Sequence, residues 1–382
     1  MMPPLSPKTL VTISQLLFLF VAVLSFTTLP PSQFLPRKTM SKYDDGTSVS
    51  GSPPPAHLVI LLHGFMGGPK DLSYLSRSIT SSSTDEVKVY SIQGNNGRTR
   101  DGIKAGGDRA FDELESLLGQ MSPNDGVKLS LVGNSLGGLY ARHLAYRLFS
   151  APPPSRTPTT TTIVPHVFAT IATPHLGVAA KNQWLQLPFQ PQLESIISRA
   201  IGKTGEDLFL RTSTIDSMGS DIGYLNSLKK FRSRVLFANS YDTDFMVSTN
   251  SASFLSASGD TLNRPTGQIT LGEEGNIFVE RFEVAATSSI TNLDSLGWKK
   301  HFVDLRRLLP FSRDTPWYST RKTTTETSAE LLIRFSGNRL KTVIVPTGHN
   351  IICANEGKPG YKTLYKSGRV VMDMLADIIF SE

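Results

Sequence analysis

A chain of 382 residues with 39% hydrophobic content is long enough to bury one large α/β core with insertions, which excludes disorder as its general state. Its 39 basic and 32 acidic residues leave a net charge of +7 without a block of Lys or Arg, so nucleic acid is excluded as a partner and an anionic lipid surface suits it better. The single cysteine, Cys353, excludes an intramolecular disulfide, and with seven dispersed histidines it excludes the usual kind of zinc site.

From Thr9 to Leu29 the chain carries no charge, and about 20 apolar residues suffice to span a bilayer as a helix. This stretch is longer than the apolar region of a cleaved signal peptide and lacks a clean cleavage site, so residues 1–40 read as a targeting segment or anchor. Lys8 precedes it and Arg37, Lys38 and Lys42 follow, which favours a cytosolic remainder; plastid or secretory targeting is the alternative. Tyr43 to Ala56, rich in Gly, Ser and Pro, reads as part of a flexible linker, 41–56, ahead of a folded domain at 57–382.

Beyond that point apolar runs of strand length alternate with helical patterns, the signature of a mostly parallel sheet flanked by helices. The expected strands are His57 to Leu62, Val87 to Ile92, Lys128 to Gly133, His166 to Ala172, Arg234 to Asn239 and Lys341 to Pro346. Helices are expected from about Gly137 to Phe149 and from about Gly368 to Ile379. Insertions are expected at about 176–230 and 251–340, the second containing the alternating text GNIFVERFEV, which has no assigned place.

Val132 to Gly138, VGNSLGG, carries G-x-S-x-G directly after an apolar strand and directly before a helix. That is the setting of a nucleophile elbow, whose sharp turn lifts the serine hydroxyl above the sheet, so Ser135 is the expected nucleophile. Upstream, HGFMGG leaves the first strand in a loop whose backbone N–H groups can face an acyl oxyanion. Phe65 N–H, with Met66 as the alternative, is expected to act with Leu136 N–H, while His63 reads as a residue that shapes the loop.

Such folds place the acid after a later strand and the histidine after the last, in the order Ser, Asp or Glu, His. Tyr241 to Val247, YDTDFMV, offers Asp242 and Asp244 after a strand end, Asp244 being preferred. His349, in TGHNII after the last expected strand, is the expected general base. His301 is its rival, and His57, His143, His166 and His175 read as structural. This chemistry requires no cofactor and no metal.

These motifs, together with ATPHLG (Ala172 to Gly177), TRDGIKAGGDRAFDEL (Thr99 to Leu114) and TGEDLFL (Thr204 to Leu210), resemble the DUF676 group of serine esterases, which includes yeast and plant lipases of the ROG type. The resemblance covers about 57–250 and resumes near His349. It implies an α/β-hydrolase fold with Ser135 as nucleophile, His349 as base and Asp244 as triad acid, because DFMVSTNSA is similar to the family's acid loop. Ser248 stands where the family usually has proline, which keeps Asp242 in play. The resemblance also implies acyl-ester substrates, glycerolipids among them.

Leu193, Ile196, Ile197, Ala200 and Ile201 recur at helical spacing before Gly202. With Trp184, Leu185, Leu187 and Phe189 they are expected to form a lid or acyl-chain wall, against the plainer reading of core packing. Arg306, Arg307, Arg313, Arg321 and Lys322, interleaved with Trp298, Phe302, Phe311, Trp317 and Tyr318, suit a bilayer surface. The expected function is acyl-ester hydrolysis through a Ser-Asp-His triad and an acyl-enzyme, acting as a lipase on glycerolipids. Its rivals are a carboxylesterase or thioesterase on small soluble substrates, and a non-catalytic hydrolase fold that binds lipid or protein.

Overall fold

The computed structural model describes residues 57–82, 87–120, 126–150, 162–178, 190–241, 243–244, 246–254, 267–271, 277–283, 292–308, 348–358, 362 and 364–382. The expected anchor, linker and Lys341 to Pro346 strand lie outside the described residues, as do Trp184, Leu185 and Asp242. Among the described residues no helix is long and apolar enough to cross a membrane.

The run HLVILL forms β1 (His57–Leu62), buried at every position. A strand covered on both faces needs no polar alternation. Accordingly, β1 pairs in parallel with β2 (Val87–Ser91) on one side and β3 (Val127–Asn134) on the other. β4 (Ile163–Ile171) and β5 (Ser233–Asn239) continue the parallel sheet, so every strand expected up to Asn239 forms, with small shifts at the ends.

Three further strands come from the second insertion: β6 (Gly267–Leu271), β7 (Ile277–Glu283) and β8 (Lys299–Asp304). β8 lies parallel beside β5, and β7 and β6 follow it antiparallel, giving the open order β2-β1-β3-β4-β5-β8-β7-β6. The unplaced text GNIFVERFEV therefore supplies β7. Lys300, in the middle of β8, is fully buried; it ion-pairs with the buried Asp294, donates to Ser253 O at 2.9 Å and lies 4.3 Å from the Phe254 ring centre. Burial lowers the Lys300 pKa to about 8, with Asp294 pulling it back up.

The helices are α1 (Ser73–Ser82), α2 (Ile103–Leu118), α3 (Leu136–Phe149), α4 (Gln190–Ile201), α5 (Lys203–Leu208), α6 (Thr214–Ser220), α7 (Ile222–Lys229), α8 (Thr249–Ser253), α9 (Gly348–Ile351) and α10 (Arg369–Ser381). On one face of the sheet, Leu58, Ile60, Leu129 and Phe168 pack with Phe111, Leu139 and Leu228 from α2, α3 and α7. On the other, Val59, Leu61, Val132 and Phe237 pack with Leu75 and Ile79 of α1 and Leu375 and Ile379 of α10. Burying each such aliphatic side chain contributes about 1.5–3 kcal/mol before conformational entropy is set against it.

Two aromatic members of the supposed bilayer-facing patch belong to this packing, a correction to the sequence reading. Trp298 and Phe302 are core residues, Arg306 pairs with Asp304 and stacks on Tyr241, and Arg307 stacks on Phe278. A cavity of about 620 Å3 between the β6–β7 hairpin and α10, lined by Ile269, Arg281, His301, Met374, Asp377 and Glu382 among others, contains no expected site residue except the rival His301.

Candidate active site

Because β1, β3 and β5 run parallel, the segments that follow them emerge along one edge of the sheet. Ser135 leaves β3 with φ 55° and ψ −127°, a conformation that costs on the order of 1–3 kcal/mol in a residue with a side chain. It is held there on both sides, since its N–H donates to Ile171 O at 2.8 Å and its carbonyl accepts from Gly138 N–H at 3.0 Å. α3 starts at once, pressed against β1: a Cβ on Gly137 would lie 2.1 Å from Leu62 O. The Ser135 side chain is half-buried rather than sealed in the core.

The loop after β1 lies against this elbow, for a Cβ on Gly64 would fall 2.8 Å from Ser135 Cβ. Gly67 N–H donates to Gly64 O at 3.1 Å, closing a turn in which Met66 has φ 52°. Met66 N–H donates to Thr99 Oγ1 at 3.0 Å, so of the two expected donors in the loop it is Phe65 whose N–H this bond leaves for a substrate. Leu136 is the first residue of α3, where N–H groups have no intrahelical acceptor.

His63 is buried with Nδ1 donating to Gly64 O at 3.1 Å, and burial lowers its pKa; the geometry is that of a loop-shaping residue. Beneath the turn lies Asp71, also buried. Burial pushes its carboxyl pKa up, while the Lys358 charge, the Gly68 N–H, His63 and Asn355 pull it down.

Asp244 is buried in the loop after β5, with both carboxylate oxygens held by hydrogen bonds. Oδ1 accepts from Met246 N–H at 2.8 Å and Val247 N–H at 3.0 Å; Oδ2 accepts from Asn239 Nδ2 at 2.9 Å and from His349 Nδ1 at 2.9 Å. His349 sits in α9, whose first residue, Gly348, donates its N–H to Thr243 O at 3.0 Å; a Cβ there would lie 2.3 Å from that oxygen. The segments that carry Asp244 and His349 can approach this closely only through glycine. Ser248, the departure from proline, caps α8 by accepting from Ser251 N–H at 3.2 Å.

The other histidines are engaged elsewhere. His301 stacks on Phe237 with centroids 4.6 Å apart inside the sheet, and burial holds its pKa near 4. His57 Nε2 pairs with Ser130 Oγ at 2.8 Å, His166 Nε2 donates to Ile379 O at 3.0 Å, His143 bridges Tyr224 and Asp108, and His175 Nε2 meets Thr170 Oγ1 at 3.1 Å.

α4 forms where the amphipathic pattern places it, and Gly202 after it has φ 78°. Among the described residues of its stripe, Ile196 is 59% exposed, Ala200 is exposed, and Ile197 and Ile201 are half-buried, while the buried residue of that turn is Ser198. Met246, two residues after Asp244, is also exposed.

An open, mostly parallel sheet with a strained serine elbow after β3, and an Asp-His pair presented from later segments, defines an α/β-hydrolase of the serine ester hydrolase class. Residues 52–255, just over half of the chain, match the family described as "Putative serine esterase (DUF676)", and the chain belongs to that family. No curated protein matches it. Similar solved structures include a cutinase-like protein from Cryptococcus sp. (16% identity, TM-score 0.24, covering 34% of this chain and 58% of that one). A lipase-esterase related protein from Clostridium acetobutylicum has 10% identity and a TM-score of 0.30, with 53% of this chain and 82% of that one covered. The Bacillus licheniformis lipase BlEst2 has 16% identity and a TM-score of 0.31, with 51% and 70% covered. The chain thus spans little more than half the length of the cutinase-like protein.

Proposed function

We propose that this chain hydrolyses acyl esters by two-step acyl transfer, with Ser135 as nucleophile, His349 as general base and Asp244 as the acid that fixes the imidazole. The observation that carries the reading is the 2.9 Å contact of His349 Nδ1 with Asp244 Oδ2, on the sheet edge that also carries the Ser135 elbow. Donation from Nδ1 leaves Nε2 unprotonated, ready to take the Ser135 proton as Oγ attacks the ester carbonyl carbon. Phe65 and Leu136 N–H groups bind the oxyanion, His349 returns the proton to the departing alcohol, and water then cleaves the acyl-enzyme by the same route.

The substrates are glycerolipids, and α4 with Trp184, Leu185, Leu193, Ile196 and Ile197 serves as a lid or acyl-chain wall. The exposure of Ile196 and Met246 supports this, since apolar side chains left at the surface suit an acyl chain or a lipid interface. Residues 9–29 anchor the protein to a membrane with the hydrolase domain in the cytosol; plastid or secretory targeting is the alternative address. The test is hydrolysis of p-nitrophenyl esters of increasing acyl length by the full chain, with and without mixed micelles. Rates that rise with chain length and with micelles support a lipase; activity confined to short soluble esters replaces that reading with a small-ester carboxylesterase or thioesterase.

A further inference from the structure

The turn that carries Phe65 is under strain at its third residue. Met66 occupies the left-handed region, φ 52°, which turns of this kind normally give to glycine or asparagine. Such a conformation persists only where its surroundings over-determine it. Here both polar groups of Met66 are gripped from outside the loop: its N–H donates to Thr99 Oγ1 at 3.0 Å, and its carbonyl accepts from Lys358 Nζ at 2.7 Å.

Each grip is itself anchored. Thr99 is buried, and its carbonyl accepts from Thr204 Oγ1 at 2.8 Å, a hydroxyl that in turn accepts from Gly102 N–H at 2.9 Å. Lys358 belongs to the segment that follows His349. That segment is wedged under the turn at Gly357, where a Cβ would lie 2.0 Å from Asp71 Oδ1. The turn next to the elbow is therefore fastened to α5 through Thr99 and to the base-bearing segment through Lys358.

We infer that Thr99 and Lys358 are positioning residues: by holding the N–H and carbonyl of Met66 they keep the strained turn in the one conformation that aims Phe65 N–H at the oxyanion. The inference rests on the reading of Ser135 as nucleophile and Phe65 as oxyanion donor. A donor displaced by about an ångström forfeits rate in the transition state while leaving ground-state binding largely intact.

The experiment compares Lys358→Met, Thr99→Val and Thr99→Ser with the parent full-length chain and Ser135→Ala, using p-nitrophenyl butyrate, with circular dichroism to check folding. The expected result is a loss of kcat of about 10-fold or more in Lys358→Met and Thr99→Val, with KM within about twofold of the parent. Thr99→Ser, which keeps the acceptor, restores kcat to within about threefold. Folded Lys358→Met and Thr99→Val with unchanged kcat, or a loss that appears in KM, overturns the inference. Should Lys358→Met not fold, the Thr99→Val and Thr99→Ser pair decides alone. Ser135→Ala separates the two claims: activity surviving in it removes the nucleophile reading, whereas a silent Ser135→Ala beside unaffected clamp variants removes only the clamp.

Discussion

His349 Nδ1 lies 2.9 Å from Asp244 Oδ2, while the other oxygen of that carboxylate is fixed by the N–H groups of Met246 and Val247. A carboxylate bound this way cannot rotate away from the imidazole without breaking several hydrogen bonds. Asp244→Asn preserves the shape but exchanges an acceptor for a donor opposite Nδ1, which favours the wrong tautomer. We expect kcat to fall by about 10,000-fold, with a melting temperature close to that of the parent. Steady-state kinetics and thermal melts on the same preparation check this; a kcat within about tenfold of the parent assigns the acid elsewhere, with Asp242 the first candidate.

The elbow sets a steric prediction. Gly137→Ala places a methyl group 2.1 Å from Leu62 O, a backbone atom that cannot swing aside. The variant should lose about 1–3 kcal/mol of stability and activity along with it. Urea unfolding measures the first, and an unchanged midpoint contradicts the packing described.

Buried histidines set the pH dependence of stability. Burial, with the nearby His166 and Lys128, holds His57 near pKa 3, and burial with Arg281 and Lys299 holds His301 near 4, against 6.5 for the unfolded chain. Between those values the unfolded state binds more protons than the folded one, so their contribution is complete above pH 6.5 and is lost as pH falls toward 4 and 3. Each such histidine adds a slope of about 1.4 kcal/mol per pH unit in that window. Urea midpoints across the window should decline steeply toward acid, and His57→Gln should flatten the decline.

The Lys300–Asp294 pair is closed off from water on both sides. Asp294→Asn leaves an ammonium buried without its counter-charge and should cost about 3–5 kcal/mol. Replacing both, as Lys300→Met with Asp294→Leu, should cost less than the sum of the single changes, a coupling that a double-mutant cycle in urea reads directly.

That same pair explains where the sequence was hard to read. The strands β1 to β5 are near-continuous apolar runs because both faces of the sheet are covered, and such runs are visible without a structure. β8 reads KKHFVD, and its inward Lys and His disguise a central strand unless the partners Asp294 and Phe237 are known. The elbow was legible because local spacing defines it, whereas spacing alone offered both Asp242 and Asp244, and His349 was expected from its position as the last histidine of the chain. The preference for Phe65 over Met66 in the HGFMGG loop rested on the motif alone, and the bond from Met66 N–H to Thr99, a residue distant in sequence, could not be read there. The stripe of α4 was readable as amphipathic, but the exposure of Ile196 and Ala200 was not, since periodicity states the angle between residues and not the direction of the face.

The central claim is that Ser135 is the nucleophile, and covalent capture tests it most directly. The full chain treated with a fluorophosphonate and digested should yield the peptide bearing Ser135 with one phosphonyl adduct, formed in step with loss of esterase activity. Ser135→Ala should take up none. Adduct formation at another residue, or equal labelling of Ser135→Ala, contradicts the account.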